Sequence, residues 1–416
     1  MAFAIFIVLT SLAMAQGIYV LLFRRGMRRQ PKELIDDESA PKAALVLCLR
    51  GRDPFLASCI EALLRQDYPN YVLHVIVDHP DDPAWTIVNE TVAGFDNLQL
   101  HTLNAPADTC SLKCSSLIQV ISSLDTSYDF AALADADTIP DQRWLRRLAT
   151  ELQDNNVGAV TGIRWYQPAD SMLGSLVRFV WNAAAIVQMY LYGIAWGGTL
   201  AIKLSVIEKL NLLEQWGKAF CEDTMLSPLL RTSGLQVRVC PQLFVSNCES
   251  SSLTGCLRFV TRQLLTVRLH HPGWLLVVGH GLALGITNIA AIVLGVVKLI
   301  AGDWHALAWI VLGLAIFHIS NIGLIFLIAK CATSNLTASN TQGGFTNLQL
   351  IKLLPSIPLT LFLQLAAVIK AIFLRSVTWR GITYEVEGTR SNSKVKLKEY
   401  MPTEHANDQT GSRTSL

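Results

Sequence analysis

Apolar residues in this chain crowd toward its two ends and thin out between them. Residues 2–23 form a charge-free apolar stretch, about 22 residues and long enough to cross a ~30 Å hydrocarbon layer as a helix. Arg24, Arg25, Arg28 and Arg29 follow it directly, with no basic segment ahead of it and no small-residue cleavage site behind. That order predicts a signal anchor whose C-terminal side lies in the cytoplasm. Residues 275–300, 306–329 and 353–374 predict three further spans, the last carrying Pro355 and Pro358 near its start. Beyond about Tyr384 the chain is polar and rich in Gly, Ser and Thr, which predicts disorder.

The middle alternates between two periodicities. Ala43–Leu49, Tyr71–Val77, 98–103 and Phe130–Ala134 have the length and apolar content of strands, while 54–65, 85–93 and 114–124 have helical spacing. Strand and helix in alternation predict an α/β domain with a mostly parallel sheet, whose ligands sit beyond the carboxyl ends of the strands. Residues 172–202 are apolar but broken by Arg178, Asn182, Gln188 and a Trp-Gly-Gly turn, so they read as a domain helix and loop rather than a span. The resulting division is an anchor (1–24), a basic linker (25–42), a cytoplasmic domain (43–256), an amphipathic interfacial segment (257–274), three membrane helices (275–374) and a polar tail (375–416). Four spans leave the tail outside, although Arg375, Arg380, Arg390, Lys394, Lys396 and Lys398 favour the cytoplasm. An exported tail is preferred over a re-entrant or interfacial last segment, because the apolar stretch is long enough to cross.

Composition sharpens this picture. The chain is 51% hydrophobic and 16% charged, with mean hydropathy +0.37, so part of it must meet lipid. A net charge of +2 without a basic, aromatic-laced stripe excludes nucleic acid. The 9 cysteines include no CxxC pair, which excludes a disulfide framework or zinc site and implies free thiols in a reducing compartment.

Candidate chemistry is acidic. The strand Phe130–Ala134 runs into Asp135-Ala-Asp137, and extended backbone turns both carboxylates to one side. Such a pair repels unless a cation or proton lies between its members, and Mg²⁺ or Mn²⁺ held together with diphosphate oxygens satisfies it. Asp78, Asp81 and Asp82 form a second cluster at another strand end, suited to a uracil N–H or ribose hydroxyls, although taken by itself the cluster reads first as a Pro-rich turn whose acids cap the helix that follows. Glu222-Asp223 opens a helical segment, where Asp223 is either a cap or a general base. His270 and His271 lie at a membrane boundary and read as an interfacial turn rather than a metal pair.

Taken in order, these pieces resemble family-two membrane glycosyltransferases, and most of all the ceramide glucosyltransferases. The resemblance runs from about Pro41 to Tyr384 and rests on Asp67-Tyr68-Pro69 with Tyr71, Asp81-Asp82-Pro83-Ala84, Lys113, Glu222-Asp223 and Trp379-Arg380-Gly381-Ile382-Thr383-Tyr384. It implies a GT-A-type domain that binds a nucleotide sugar through Asp78, Asp81, Asp82, Lys113 and Asp135. It also implies a divalent metal on Asp135 and Asp137, and Asp223 as base. The family's Gln- or Arg-led motif before the spans corresponds to Arg262 or Gln263, but its Arg-Trp pair is replaced here by Leu265-Thr266 or Thr266-Val267. Glu222, Arg262, Gln263 and Arg268 are then candidate donor or acceptor contacts. The expected reaction is inverting transfer of a hexose, with UDP-glucose leading, to a lipid hydroxyl. A processive polysaccharide synthase and a non-catalytic membrane scaffold are the alternatives.

Overall fold

The computed structural model describes residues 1–92, 94–336, 344–390 and 392–400. It opens with helix α1 (Ala2–Met27) and an extended linker. The domain then alternates β1 (Ala43–Leu49), α2 (Leu56–Leu64), β2 (Tyr71–Val77), α3 (Pro83–Thr91), β3 (Leu98–Thr102), α4 (Leu112–Ser122) and β4 (Phe130–Ala134). The expected elements therefore form, with ends shifted by a few residues; Ala93, expected in the third helix, lies outside the described residues. Next come α5 (Trp144–Leu152), β5 (Val157–Tyr166), α6 (Leu173–Tyr192), β6 (Thr199–Lys203), α7 (Leu204–Lys209), α8 (Leu212–Trp216), α9 (Leu226–Thr232) and β7 (Gln236–Asn247).

Seven strands make one sheet in the order β3-β2-β1-β4-β6-β5-β7. β6 alone runs against its neighbours. That reversal positions the site: the start of β6 lies at the same edge as the carboxyl ends of the other strands, with Thr199 opposite Ala134. The strands are near-continuous apolar runs because both faces are covered. Leu45, Leu47, Val75 and Ala132 pack under α2 and α5, and Val46, Ile76, Leu133 and Leu200 under α4, α8 and α9.

After the domain come α10 (Leu253–His270), α11 (Trp274–Ile300), α12 (Trp304–Asn335) and α13 (Asn347–Phe373). Four helices, α1, α11, α12 and α13, are long and apolar enough to cross a membrane. α1, α11 and α12 form a bundle. At its far end Phe3 and Phe6 meet Trp309, and at the domain end Phe23 and Met27 join Trp165, Ile328 and Ala332 in one cluster.

The tail departs from expectation. β8 (Ser376–Trp379), β9 (Ile382–Glu387) and β10 (Lys394–Tyr400) form an antiparallel sheet. Ile382, Tyr384 and Val386 alternate inward and share a core with Leu112, Leu117 and Phe220 of the domain, while the intervening Thr383 and Glu385 are less buried. Burial of that apolar face orders a segment whose composition alone reads as disordered. A sheet built into the domain's core is on the domain's side of any membrane, so the exported tail is overturned. Residues 401–416 of the expected disordered tail lie outside the described residues.

Candidate active site

A cavity of about 230 Å³ opens at the carboxyl edge of the sheet. Its polar end is built by strand ends. Asp135 and Asp137 follow β4, Arg50 follows β1, Asp78 follows β2, and Arg164 lies near the end of β5. Lys113 comes from the first turn of α4, whose N-cap Ser111 accepts from the Cys114 N–H. The loop before α9 supplies Glu222 and Asp223.

Charges here are paired in a chain. Lys113 Nζ lies 2.7 Å from Asp135 Oδ1 and 2.7 Å from Glu222 Oε1. Arg164 Nη2 donates to Asp135 Oδ2 at 2.5 Å and to Asp137 Oδ1 at 3.0 Å. The other oxygen of Asp137 accepts from Asn247 Nδ2 at 2.9 Å. The two carboxylates do turn to one side, and the cation between them is Arg164. Burial opposes ionisation of Asp135, but Lys113 and Arg164 outweigh it and hold its carboxyl well below the usual carboxylate range. Burial prevails at Asp137 and Glu222, which are pushed up despite Arg164 and Lys113 respectively. Trp196 covers the Arg164 guanidinium at 4.6 Å.

Asp223 is held from two sides. Oδ2 accepts from the Gly197 N–H and Oδ1 from the Thr224 hydroxyl, both at 2.8 Å. The Gly197-Gly198 turn is required by close approach: a Cβ at Gly197 would stand 1.9 Å from Glu222 Oε1, and one at Gly198 2.6 Å from Asp135 Oδ2. The loop is fixed from behind by His270, whose Nε2 accepts from the Phe220 N–H at 3.1 Å. Burial pushes His270 down to about 4, so it stays the neutral acceptor this bond needs. The histidine read as part of an interfacial turn thus ties the end of α10 to the acidic loop.

Part of the lining is apolar. Trp181, Ala185 and Met189 come from α6 and Phe259 from α10, with the Trp181 and Phe259 rings 5.6 Å apart, and α10 also brings in Arg262, Gln263 and Thr266. Arg262 has aromatic rings as neighbours, Phe259 at 5.8 Å and Trp379 at 5.4 Å, and among the described residues it pairs with no carboxylate. Burial pushes it down to about 10. The tail supplies the roof. Arg380 and Gly381, both at positive φ, form the two-residue turn between β8 and β9. Arg380 donates to the Arg50 carbonyl at 2.5 Å and pairs with Asp53 at 3.2 Å. Arg50 in turn pairs with Asp78, which also accepts from the Tyr400 hydroxyl at 3.1 Å.

Of the residues singled out from sequence, the cavity gathers Asp78, Lys113, Asp135, Asp137, Glu222, Asp223, Arg262 and Gln263. Three do not reach it. Asp82 is buried as the N-cap of α3, accepting from the Ala84 N–H at 2.8 Å and from Gly51 at 2.9 Å, so it shapes the turn beside Arg50. The Asp81 side chain is exposed and rests 3.3 Å from His79. Arg268 points the other way and caps α13, donating to the carbonyls of Ala371, Ile372 and Leu374. Sequence reasoning missed Arg50, Arg164 and the pocket role of Arg380. The signal for Arg164 was a lone cation inside the otherwise apolar run Val157–Tyr166.

Residues 5–391 match the profile described as glycosyl transferase family 21. The chain belongs to that family. Its mostly parallel sheet is the α/β architecture that the sequence predicted, and it carries four helices long and apolar enough to cross a membrane. Local similarity reaches two curated enzymes. A 69-residue stretch, 15% of this chain and 9% of the relative, is 32% identical to chitin synthase G of Aspergillus niger. A 126-residue stretch, 27% of this chain and 23% of the relative, is 23% identical to the ceramide glucosyltransferase of Candida albicans. The matches thus span less than a quarter of either relative. Among solved structures, the mannosyltransferase PcManGT from Pyrobaculum calidifontis, in complex with GDP-Man and Mn²⁺, aligns with a TM-score of 0.49 at 16% identity, over 90% of this chain and 99% of that one. A 4-diphosphocytidyl-2C-methyl-D-erythritol synthase from Anaerococcus prevotii aligns at 0.34 and 12% identity, over 48% and 86%.

Proposed function

We propose that this family-21 enzyme transfers a hexose, with UDP-glucose the leading donor, to the hydroxyl of a membrane lipid with inversion at the anomeric carbon. One observation carries the reading: a single cavity joins a charged end at the sheet edge to an apolar wall of α6 and α10, the helices on which the membrane-side α13 packs. A sugar nucleotide suits the first and a lipid the second.

Asp223 is the base. Its orientation is fixed by Gly197 and Thr224, and it takes the proton of the acceptor hydroxyl as the new oxygen–carbon bond forms and the carbon–phosphate-oxygen bond breaks. The electron pair leaves on the nucleoside diphosphate, beside which Lys113, Arg164 and Arg262 supply positive charge. Asp78, which lines the same cavity, is the residue we assign to the nucleobase and ribose. Among the described residues no three His, Cys, Asp or Glu side chains gather as a metal cage. Asp135 and Asp137 nevertheless converge on one point, marked by Arg164 Nη2, and two carboxylates completed by diphosphate oxygens are a donor set for Mg²⁺ or Mn²⁺. When bound, such an ion neutralises the leaving diphosphate. The cytoplasm is the assigned side for the domain, because Arg24, Arg25, Arg28, Arg29 and Lys330 gather at the domain end of α1 and α12.

The test is transfer of label from a panel of radioactive UDP- and GDP-sugars in membranes that contain the protein, with and without chelator. Label from a UDP-hexose in the lipid extract, lost with chelator, is expected. Label in an insoluble polymer would favour the polysaccharide-synthase alternative, to which the chitin synthase similarity points; full transfer in excess chelator removes the metal.

A further inference from the structure

We infer that α13 does not cross the bilayer but lies half-inserted along the membrane face of the catalytic domain, so that three helices cross and not four. By length alone α13 qualifies as a span, since 27 residues at about 1.5 Å each reach roughly 40 Å. Its partners decide otherwise. At its start Gln349 Nε2 donates to the carbonyls of Pro168 and Asp170, and Lys352 Nζ to that of Ser171, all in the loop before α6. Midway, the Trp181 indole of α6 donates to Gln364 Oε1 at 2.7 Å. At its end, Arg268 of α10 caps the last carbonyls. Start, middle and end are each bonded to the domain, and the chain then enters β8 of a sheet packed into the domain's core.

The other helices agree. α13 meets α11 at Gly281 and Gly285, less than half-way along, and beyond that Gly295 of α11 faces Ile310 of α12. α13 therefore dips into the apolar layer beside α11 and comes back. Its outward face carries Ile351, Leu354, Phe362, Ile369 and Phe373 at helical spacing, all exposed. That stripe adjoins exposed Leu275 and Leu276 at the start of α11, where Trp274 and Val277 pack with Ala367 and Ala371 of α13. The occupant of this face is the bilayer that also surrounds α1, α11 and α12. The placement also removes a charge conflict, since Arg375, Arg390, Lys394, Lys396 and Lys398 now share the side of Arg24–Arg29. α13 thereby forms the sill between lipid and cavity, because Trp181 lines the cavity on one side and bonds α13 on the other. The inference does not depend on which sugar or acceptor is used.

An impermeant maleimide applied to each side of sealed vesicles tests it, read over the labelling of the unsubstituted protein. Asn89→Cys marks the domain side and Ala301→Cys the turn between α11 and α12. The expectation is that Lys396→Cys labels from the side of Asn89→Cys and that Ala301→Cys labels from the other. Labelling of Lys396→Cys together with Ala301→Cys overturns it. Should the tail variant fold poorly, Leu348→Cys and Phe373→Cys at the two ends of α13 give the same decision: labelling from one shared side supports the half-inserted helix, and from opposite sides overturns it.

Discussion

Lys113 bridges Asp135 and Glu222, and the absence of side chains at Gly197 and Gly198 lets all three crowd against the turn that holds Asp223. Glu222 is the weak member of this chain, because burial raises its carboxyl, opposed by Lys113 and reinforced by the charges of Asp223 and Asp135. It therefore takes up a proton above the ordinary glutamate value of ~4.3, which breaks its ion pair. The consequence for stability has the opposite sign: a carboxyl whose folded pKa is raised is destabilising while ionised, and protonation relieves it. Turnover should thus fall on the acid side with an apparent pKa above ~4.3 while circular dichroism stays native, and Glu222→Gln should change the position of that limb, Asp137 and Asp223 supplying what remains of it. An acid limb that coincides with unfolding contradicts this. At this scale the carboxylates were legible, because Asp135-x-Asp137 and Glu222-Asp223 announce themselves as patterns. Arg164 was not, since a cation on a distant strand becomes the partner of Asp135 only through sheet order, which no local spacing encodes.

Elements determine which of those side chains meet. α10 carries Arg262 and Gln263 into the cavity, holds the acidic loop through His270 and caps α13 through Arg268. Strands β1, β2 and β4 were readable because their apolar runs end in charged residues, whereas the tail strands were masked by their polar outward faces. The pattern Ile382-Thr-Tyr384-Glu-Val386 has the period of a half-buried strand, and the composition of its surroundings concealed it. Tyr384 is the test of that sheet, being 1% exposed and accepting from the Leu112 N–H at 3.2 Å, next to Lys113. Tyr384→Ala should cost about 3–5 kcal/mol of stability, expose residues 376–400 to limited proteolysis and weaken nucleotide binding. Tyr384→Phe should be far milder. A tail that stays protease-resistant with unchanged binding in Tyr384→Ala would show that the sheet is no part of the site.

The molecule as a whole joins an α/β domain to four long apolar helices, with α13 packed on α6 and α10 of the domain side. The membrane character was legible from apolar length, and the tail shows where that signal stops: hydropathy measures whether a helix can cross, while the bonds from both ends of α13 to the domain, on which the half-inserted placement rests, join residues far apart in sequence. The central claim is that this cavity moves a sugar to a lipid hydroxyl with Asp223 as base. Comparing label transfer into lipid by the unsubstituted protein and Asp223→Asn, in the same membranes and at saturating donor, tests it most directly. Turnover should fall by about 10²-fold or more, with nucleotide binding retained. Turnover that survives at saturation while nucleotide affinity drops would contradict the account and make Asp223 a donor-binding residue.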